Sequence, residues 1–214
     1  MAVRTIILLL FILAFNACRN QSDEAADDYG GRLAEWFAYY GITAAEMAPA
    51  GSFKNHVLPS APFYLTGSQP FEDLLVFTDD SILALDLDSY HLVLETSADG
   101  TIYALGREAD MEIGLVNLKK NTRQRILFCG TPCLFEEGDI MPDGRVVIAG
   151  FTEDEGMYAP TLWKISPDFS QIAIFMAEMH KTADQLSYVP EVRLSHIRFD
   201  FAPGPPQFFT PPLP

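Results

Sequence analysis

The sequence predicts an all-β domain, a meander of about three to four small antiparallel sheets preceded by one short helix. From Phe71 onward, short runs of β-type residues alternate with turn signals. The pattern also recurs: Asp99-Gly100 and Asp143-Gly144 lie 44 residues apart, each before a strand-like run, and this dipeptide suits tight hairpin turns. With 214 residues and 49% hydrophobic content, the chain is long enough for one domain with a sizeable core.

Residues 1–17 have the pattern of a signal peptide. One cation, Arg4, precedes an apolar run from Ile6 to Phe15, which is shorter than the about 20 residues that span a bilayer. The segment that follows, Phe15-Asn16-Ala17-Cys18, resembles the lipobox of bacterial lipoproteins, with Phe where the family usually has Leu. The resemblance implies that Cys18 is lipidated and becomes the mature N-terminus. The alternative is a signal peptide cleaved elsewhere, with Cys18 lost or incidental.

Residues 18–31 are predicted to form a flexible acidic tether, because they are polar and have no apolar periodicity. Their carboxylates resemble the acidic export signal of some Bacteroidota surface lipoproteins. Residue 19 is Arg rather than Asp, which by the same resemblance favours the outer membrane. The expected location is the bacterial cell envelope, lipid-anchored, with the domain in the periplasm or on the cell surface.

Residues 32–48 are predicted to form the helix. Leu33, Trp36, Phe37 and Tyr40 follow helical spacing and make one apolar stripe, which ends before a proline. We expect this stripe to pack on the β-domain; a partner-facing or membrane-facing surface is the alternative. Ala50 to Gln69 is predicted to be a loop that leads to the first strand.

Nine strands are predicted within the β-domain, residues 52–201. They are Leu74 to Phe77, Ser81 to Asp86, His91 to Thr96, Thr101 to Gly106, Met111 to Leu118, Gln124 to Cys129, Arg145 to Phe151, Pro160 to Ile165 and Gln171 to Met176.

A second internal match relates two sets of residues that lie 47 positions apart. Leu115, Leu118, Asn121 and Gln124 recur as Leu162, Ile165, Asp168 and Gln171. A period of this length, with several strands per repeat, is typical of β-propeller blades. Met141 to Phe175 is the best copy and resembles bacterial propeller repeats, and the weaker Leu85-Asp86-Leu87-Asp88 is similar to an edge found in many blades.

The sequence does not decide whether the repeats close into a ring. Closed propellers typically need about four to eight blades, and the chain supplies roughly three repeats. Ser52 to Thr66 and Arg193 to Phe201 complete a fourth sheet in one interpretation. In the other, the ring is incomplete and forms an open meander, a sandwich or a truncated copy of a longer protein. The proline-rich tail, residues 202–214, is predicted to be extended and disordered.

Cys129 and Cys133 are predicted to form a disulfide in an oxidising compartment. Free structural thiols, or a metal or redox role, are the alternatives. The spacing differs from the Cys-x-x-Cys redox motif, and no second pair accompanies the two residues to make a zinc site.

Two predicted acidic loops supply the candidate ligand rim: Glu136 with Asp139, and Glu153 with Asp154. Such clusters can hold Ca²⁺, although solvated loops are the simpler interpretation. The four histidines are scattered and lack carboxylate partners at ligand spacing, so no catalytic residue, metal site or cofactor is predicted.

The predicted function is an envelope-anchored lipoprotein that binds or scaffolds a protein or glycan ligand. A net charge of -15 argues against nucleic acid as a partner. An extracytoplasmic lyase or glycosidase-like enzyme is one alternative, and it requires Glu136, Asp139 or Asp154 to meet in one pocket. A degenerate remnant of a larger propeller protein is the other.

Overall fold

The computed structural model describes residues 29–64 and 71–200, which form an all-β meander with one short helix, as predicted. The helix, α1, spans Gly31–Tyr40. The strands are β1 Ala48–Lys54, β2 Ala61–Pro62, β3 Leu75–Phe77, β4 Leu83–Asp86, β5 Leu92–Thr96, β6 Ile102–Arg107, β7 Met111–Asn117, β8 Thr122–Cys129, β9 Cys133–Ile140, β10 Val146–Asp154, β11 Met157–Ile165, β12 Gln171–Met176 and β13 Arg198–Phe199.

The strands make three sheets. Sheet A has the order β1-β12-β11-β10-β9, sheet B has β2-β8-β7-β4-β3, and sheet C has β13-β6-β5. Neighbouring strands are antiparallel except β13 and β6, which are parallel. Sheet A therefore contains one uninterrupted four-stranded meander, β9 to β12, with β1 added at its edge.

The two internal matches fall on equivalent hairpins. Asn121 lies in the turn between β7 and β8, and Asp168 in the turn between β11 and β12. In the other matched pair, Gly100 and Gly144 have φ of 86° and 85°, the positive values for which Asp-Gly is suited. These turns confirm the predicted local topology, whereas a propeller relationship between the sheets stays a prediction.

The fourth sheet expected from the two ends of the domain does not form. Ser52 lies in β1, which pairs with β12, whereas β13 pairs with β6. β2, which also comes from the first segment, pairs with β8. The two segments thus add to the edges of three different sheets, where their backbone groups find hydrogen-bond partners.

The helix is shorter than the predicted residues 32–48. It ends at Tyr40 because Gly41 takes a left-handed conformation, with φ of 67°. The Gly41 N–H then caps the Ala38 carbonyl, and the Ile42 N–H caps the Phe37 carbonyl. The chain then reaches β1, Ala48–Lys54, most of which lies in the predicted loop Ala50 to Gln69. The predicted tether, residues 18–31, also extends too far, since Tyr29 is buried and stacks on Phe37.

Sheet A is covered on both faces near β9. On one face, Phe151 contacts Trp36 and Tyr40 of α1. On the other face, a Cβ at Gly138 would lie 3.2 Å from a methyl of Leu85 in sheet B, so the two sheets approach closely there. The helix and both larger sheets thus share one hydrophobic core.

The sulfurs of Cys129 and Cys133 lie at disulfide-bonding distance, as predicted, and tie the end of β8 to the start of β9. The bond closes a short loop, with a sequence separation of 4 residues. Replacing both cysteines by serine should lower the free energy of unfolding by about 2 kcal/mol, the chain-entropy value for a loop of this size. Urea denaturation measures this change, and a reductant should weaken only the parent protein. Equal stability of the two chains would contradict the prediction.

The predicted signal peptide (1–17), the lipidation site Cys18 and the tail (202–214) lie outside the described residues. Across residues 29–64 and 71–200, no helix has the length and apolar content needed to cross a membrane.

Candidate binding site

A β-bulge in β9 creates the most unusual arrangement of side chains in the domain. Ala149 of β10 pairs with Glu137, but the next residue, Gly150, pairs with Phe135, which leaves Glu136 as an extra residue. Adjacent residues of a regular strand point to opposite faces, and a bulge breaks that alternation. Here it directs both glutamates to the face of sheet A that α1 covers. The acidic loop predicted for this segment is therefore wrong, because these residues lie in a strand.

Gly150 allows the strands to approach at the bulge. A Cβ at this position would overlap the Leu134 carbonyl oxygen and lie 3.0 Å from the Cα of Phe135. All of these are backbone atoms, which no rotamer change can move away. The bulge therefore requires glycine at position 150.

Glu136 joins the bulge to α1. Its carboxylate accepts hydrogen bonds from Trp36 Nε1 at 2.9 Å and from the Tyr40 hydroxyl at 3.0 Å. The side chain is buried, and burial raises its pKa to about 7, although these two donors and the positive charge of Arg193 oppose the shift. This carboxyl group therefore changes charge near neutral pH inside the core.

Glu137 faces a different set of partners. It accepts hydrogen bonds from the Tyr188 hydroxyl at 3.0 Å and from the Gly138 N–H at 2.9 Å. Burial raises the pKa of Glu137, while the charge of Arg193 opposes the shift. Two buried carboxyl groups thus lie side by side, and Glu137 lines the cavity that is described below.

Arg193 carries the compensating charge. Its Nη1 and Nη2 donate to the two carboxylate oxygens of Asp88 at 2.6 and 2.8 Å, a bidentate pair. Burial would lower the pKa of Arg193, but Asp88 and Glu137 together raise it, so the guanidinium stays charged. The pair fixes the turn at residues 189–193 against the end of β4.

The companion aspartate of the Leu-Asp-Leu-Asp segment, Asp86, is also paired with an arginine, through a single hydrogen bond. Arg123 Nε donates to Asp86 at 2.7 Å, and the same guanidinium contacts Glu112. Gly114 leaves the room for this side chain, since a Cβ there would overlap the guanidinium. Both aspartates of this segment thus hold arginines that come from later parts of the chain.

A polar cavity of about 270 Å³ lies beside Glu137. Its buried floor contains Glu137, Tyr188 and Arg193, and its exposed rim carries the charged residues Arg32, Glu35 and Asp73. The walls come from α1, from the turn that precedes β3, from β9 and from residues 188–194. Four separate parts of the chain therefore converge on one small, charged space.

The structure does not bring the predicted ligand rim together. Asp139 pairs with Val147 on β10, whereas Glu153 and Asp154 lie at the far end of that strand. Six residues separate Val147 from Glu153, about 20 Å along a strand. Glu136 is buried between them under α1. The carboxylates required by the lyase or glycosidase alternative therefore do not meet in one pocket.

Glu153 has a local partner instead, because its carboxylate accepts a hydrogen bond from the Gly156 N–H at 2.7 Å in the turn that follows β10. Within residues 29–64 and 71–200, no group of three or more His, Cys, Asp or Glu side chains is arranged to hold a metal ion.

The sequence indicated some members of this site and missed others. The helical stripe identified Trp36 and Tyr40, and the acidic run identified Glu136. Arg193 and its contact with Asp88 carry no sequence signal, since the two residues are separated by 105 positions.

Comparisons with protein-family models, with curated proteins and with solved structures find no significant match to this chain.

Proposed function

We propose that this protein is an acylated lipoprotein of the bacterial envelope whose β-domain binds a small polar ligand in the cavity beside Glu137 and Arg193. The observation that carries the binding function is the cavity itself. Its floor places a carboxylate, a phenol and a guanidinium, all largely buried, around one space.

Buried ionisable groups are costly unless they are paired, so a protein that needs only stability gains little from them. Here each floor group has a hydrogen-bond partner: Arg193 donates to Asp88, and Tyr188 donates to Glu137. A ligand therefore meets polar groups that are already oriented and loses little free energy in ordering them. Perturbed ionisable groups at a cavity are also typical of functional sites.

The size of the cavity limits the ligand. About 270 Å³ is just below the roughly 300 to 1,000 Å³ of cavities that hold drug-sized molecules. A compound of the size of a common metabolite fits this space, whereas a folded protein or a long glycan reaches only its rim.

A thermal-shift screen of the full chain against a mixed library of amines, acids, sugars and nucleosides tests binding. Val192, which is half-buried in the cavity wall, supplies the site variant. V192F should fill part of the cavity and abolish the shift. The matched control is V93F, since Val93 is 52% exposed on β5 and does not line the cavity. Binding that V192F leaves intact would exclude this cavity, and a library without any hit would argue against a binding function.

The anchoring half of the proposal rests on the lipobox-like Phe15-Asn16-Ala17-Cys18 and the polar segment that follows. In a Gram-negative host, C18S should abolish incorporation of labelled palmitate and release the protein from the membrane fraction. The C129S/C133S double variant is the control and should keep its label. Undiminished labelling of C18S would refute lipidation at this residue.

A further inference from the structure

The charges around the cavity specify more than a polar ligand. Arg193 is neutralised by Asp88 through two hydrogen bonds, so the pair has no net charge. Glu137 then remains as the charged or chargeable group of the floor. On the rim, two carboxylates, Glu35 and Asp73, accompany a single guanidinium, Arg32. Negative groups therefore exceed positive ones, and the cavity favours a cation.

A second observation concerns hydrogen bonding. The side chain of Arg193 is 7% exposed and lines the cavity, and its Nε–H has no hydrogen-bond partner in the described part of the chain. Buried N–H groups are rarely left unpaired, because the loss of hydration costs roughly 1 to 3 kcal/mol. Each Nη uses one of its two N–H groups on Asp88, so Nε is the guanidinium nitrogen that has no partner among the described residues, and its N–H can serve an oxygen acceptor.

We infer that the ligand is a small organic ammonium compound that also carries an oxygen acceptor, such as an amino alcohol. Its ammonium group binds to Glu137, Glu35 and Asp73, and its oxygen accepts the hydrogen bond of Arg193 Nε. This inference rests on the proposed function and names the chemical class that the same cavity takes.

Three probes that share a five-carbon chain separate the two halves of the inference. Aminopentanol carries both groups, pentylamine lacks the oxygen, and pentanediol lacks the charge. Isothermal titration of the full chain at neutral pH should show the tightest binding for aminopentanol, weaker binding for pentylamine and none for pentanediol. Equal affinity for pentanediol and aminopentanol would overturn the cation preference, and no binding of aminopentanol would overturn the inference as a whole.

The rim gives a variant that does not endanger folding. Glu35 and Asp73 are exposed, so E35Q/D73N keeps the shape of the cavity and removes two negative charges. The affinity for aminopentanol should fall about tenfold, the sum expected for two solvent-exposed ion pairs. E178Q is the control, since Glu178 is an exposed glutamate that does not line the cavity. An unchanged affinity in E35Q/D73N would overturn the assigned ammonium site.

Failure of this inference is distinguishable from failure of the proposed function. A neutral or anionic library compound whose binding is lost in V192F would leave the cavity a binding site and overturn only the ammonium class. The absence of any compound whose binding depends on Val192 would overturn both.

Discussion

Replacing Gly150 by alanine should destabilise the domain by about 3 kcal/mol, at the upper end of the usual cost of overpacking a core. The added methyl group overlaps the Leu134 carbonyl oxygen. Relief requires β9 and β10 to separate where the bulge sets Glu136 beneath α1. The variant should therefore also loosen the helix, and chemical denaturation together with hydrogen exchange of the α1 amides would measure both effects.

Gly106 is the matched control for this substitution. It is also a strand glycine beside a register shift, but a Cβ there meets no atom within 4 Å. G106A should change stability by less than about 1 kcal/mol, or increase it, because alanine restricts the unfolded chain. Equal effects of G150A and G106A would contradict the close approach at the bulge.

The sequence was most informative where the backbone imposes its own rule. Asp99-Gly100 and Asp143-Gly144 mark turns that need positive φ, and both glycines have it. Apolar residues in short runs identified β10 to β12, whose interior residues are mostly buried. Hairpins of this kind depend on local chemistry, so neighbouring residues are enough to predict them.

Among the observed strands that are absent from the nine predicted ones, β1 and β9 were missed for opposite reasons. β1 is exposed along its whole length, so it lacks the apolar and polar alternation that marks a half-buried strand. Its Pro, Gly and Ser residues are instead typical of a loop. β9 contains Glu136, Glu137 and Asp139, a composition typical of loops, yet both glutamates are buried. In each case pairing with a distant strand, rather than local preference, determines the structure.

The site depends on contacts that no local pattern encodes. The bulge is visible only in the register of β9 against β10, and it reverses the expected direction of one glutamate. Arg193 reaches Asp88 across 105 positions, so neither residue indicates its partner in the sequence. The acidic residues were found from composition, but their burial and their separation from Glu153 required the fold.

A large pH-dependent effect should come from Glu136, and E136Q should remove it. The ordinary pKa of this carboxyl is 4.5, and burial raises it to about 7 in the folded protein. Well below pH 4.5 the group is protonated in both states. As the pH rises towards 7, the unfolded chain releases the proton first, so the folded state loses about 3 kcal/mol of stability over this range.

Glutamine mimics the protonated acid, since its oxygen can accept from Trp36 Nε1 and its amide can donate to the Tyr40 hydroxyl. E136Q should therefore resemble the parent protein near pH 4 and exceed its stability by about 3 kcal/mol at pH 8. Urea denaturation across this range tests the prediction, with E178Q as the exposed control. The difference between the two chains cancels the other groups that titrate there. Parallel stability curves for E136Q and the parent would mean that Glu136 is ionised in both states, and α1 would then be held to the bulge by a buried carboxylate.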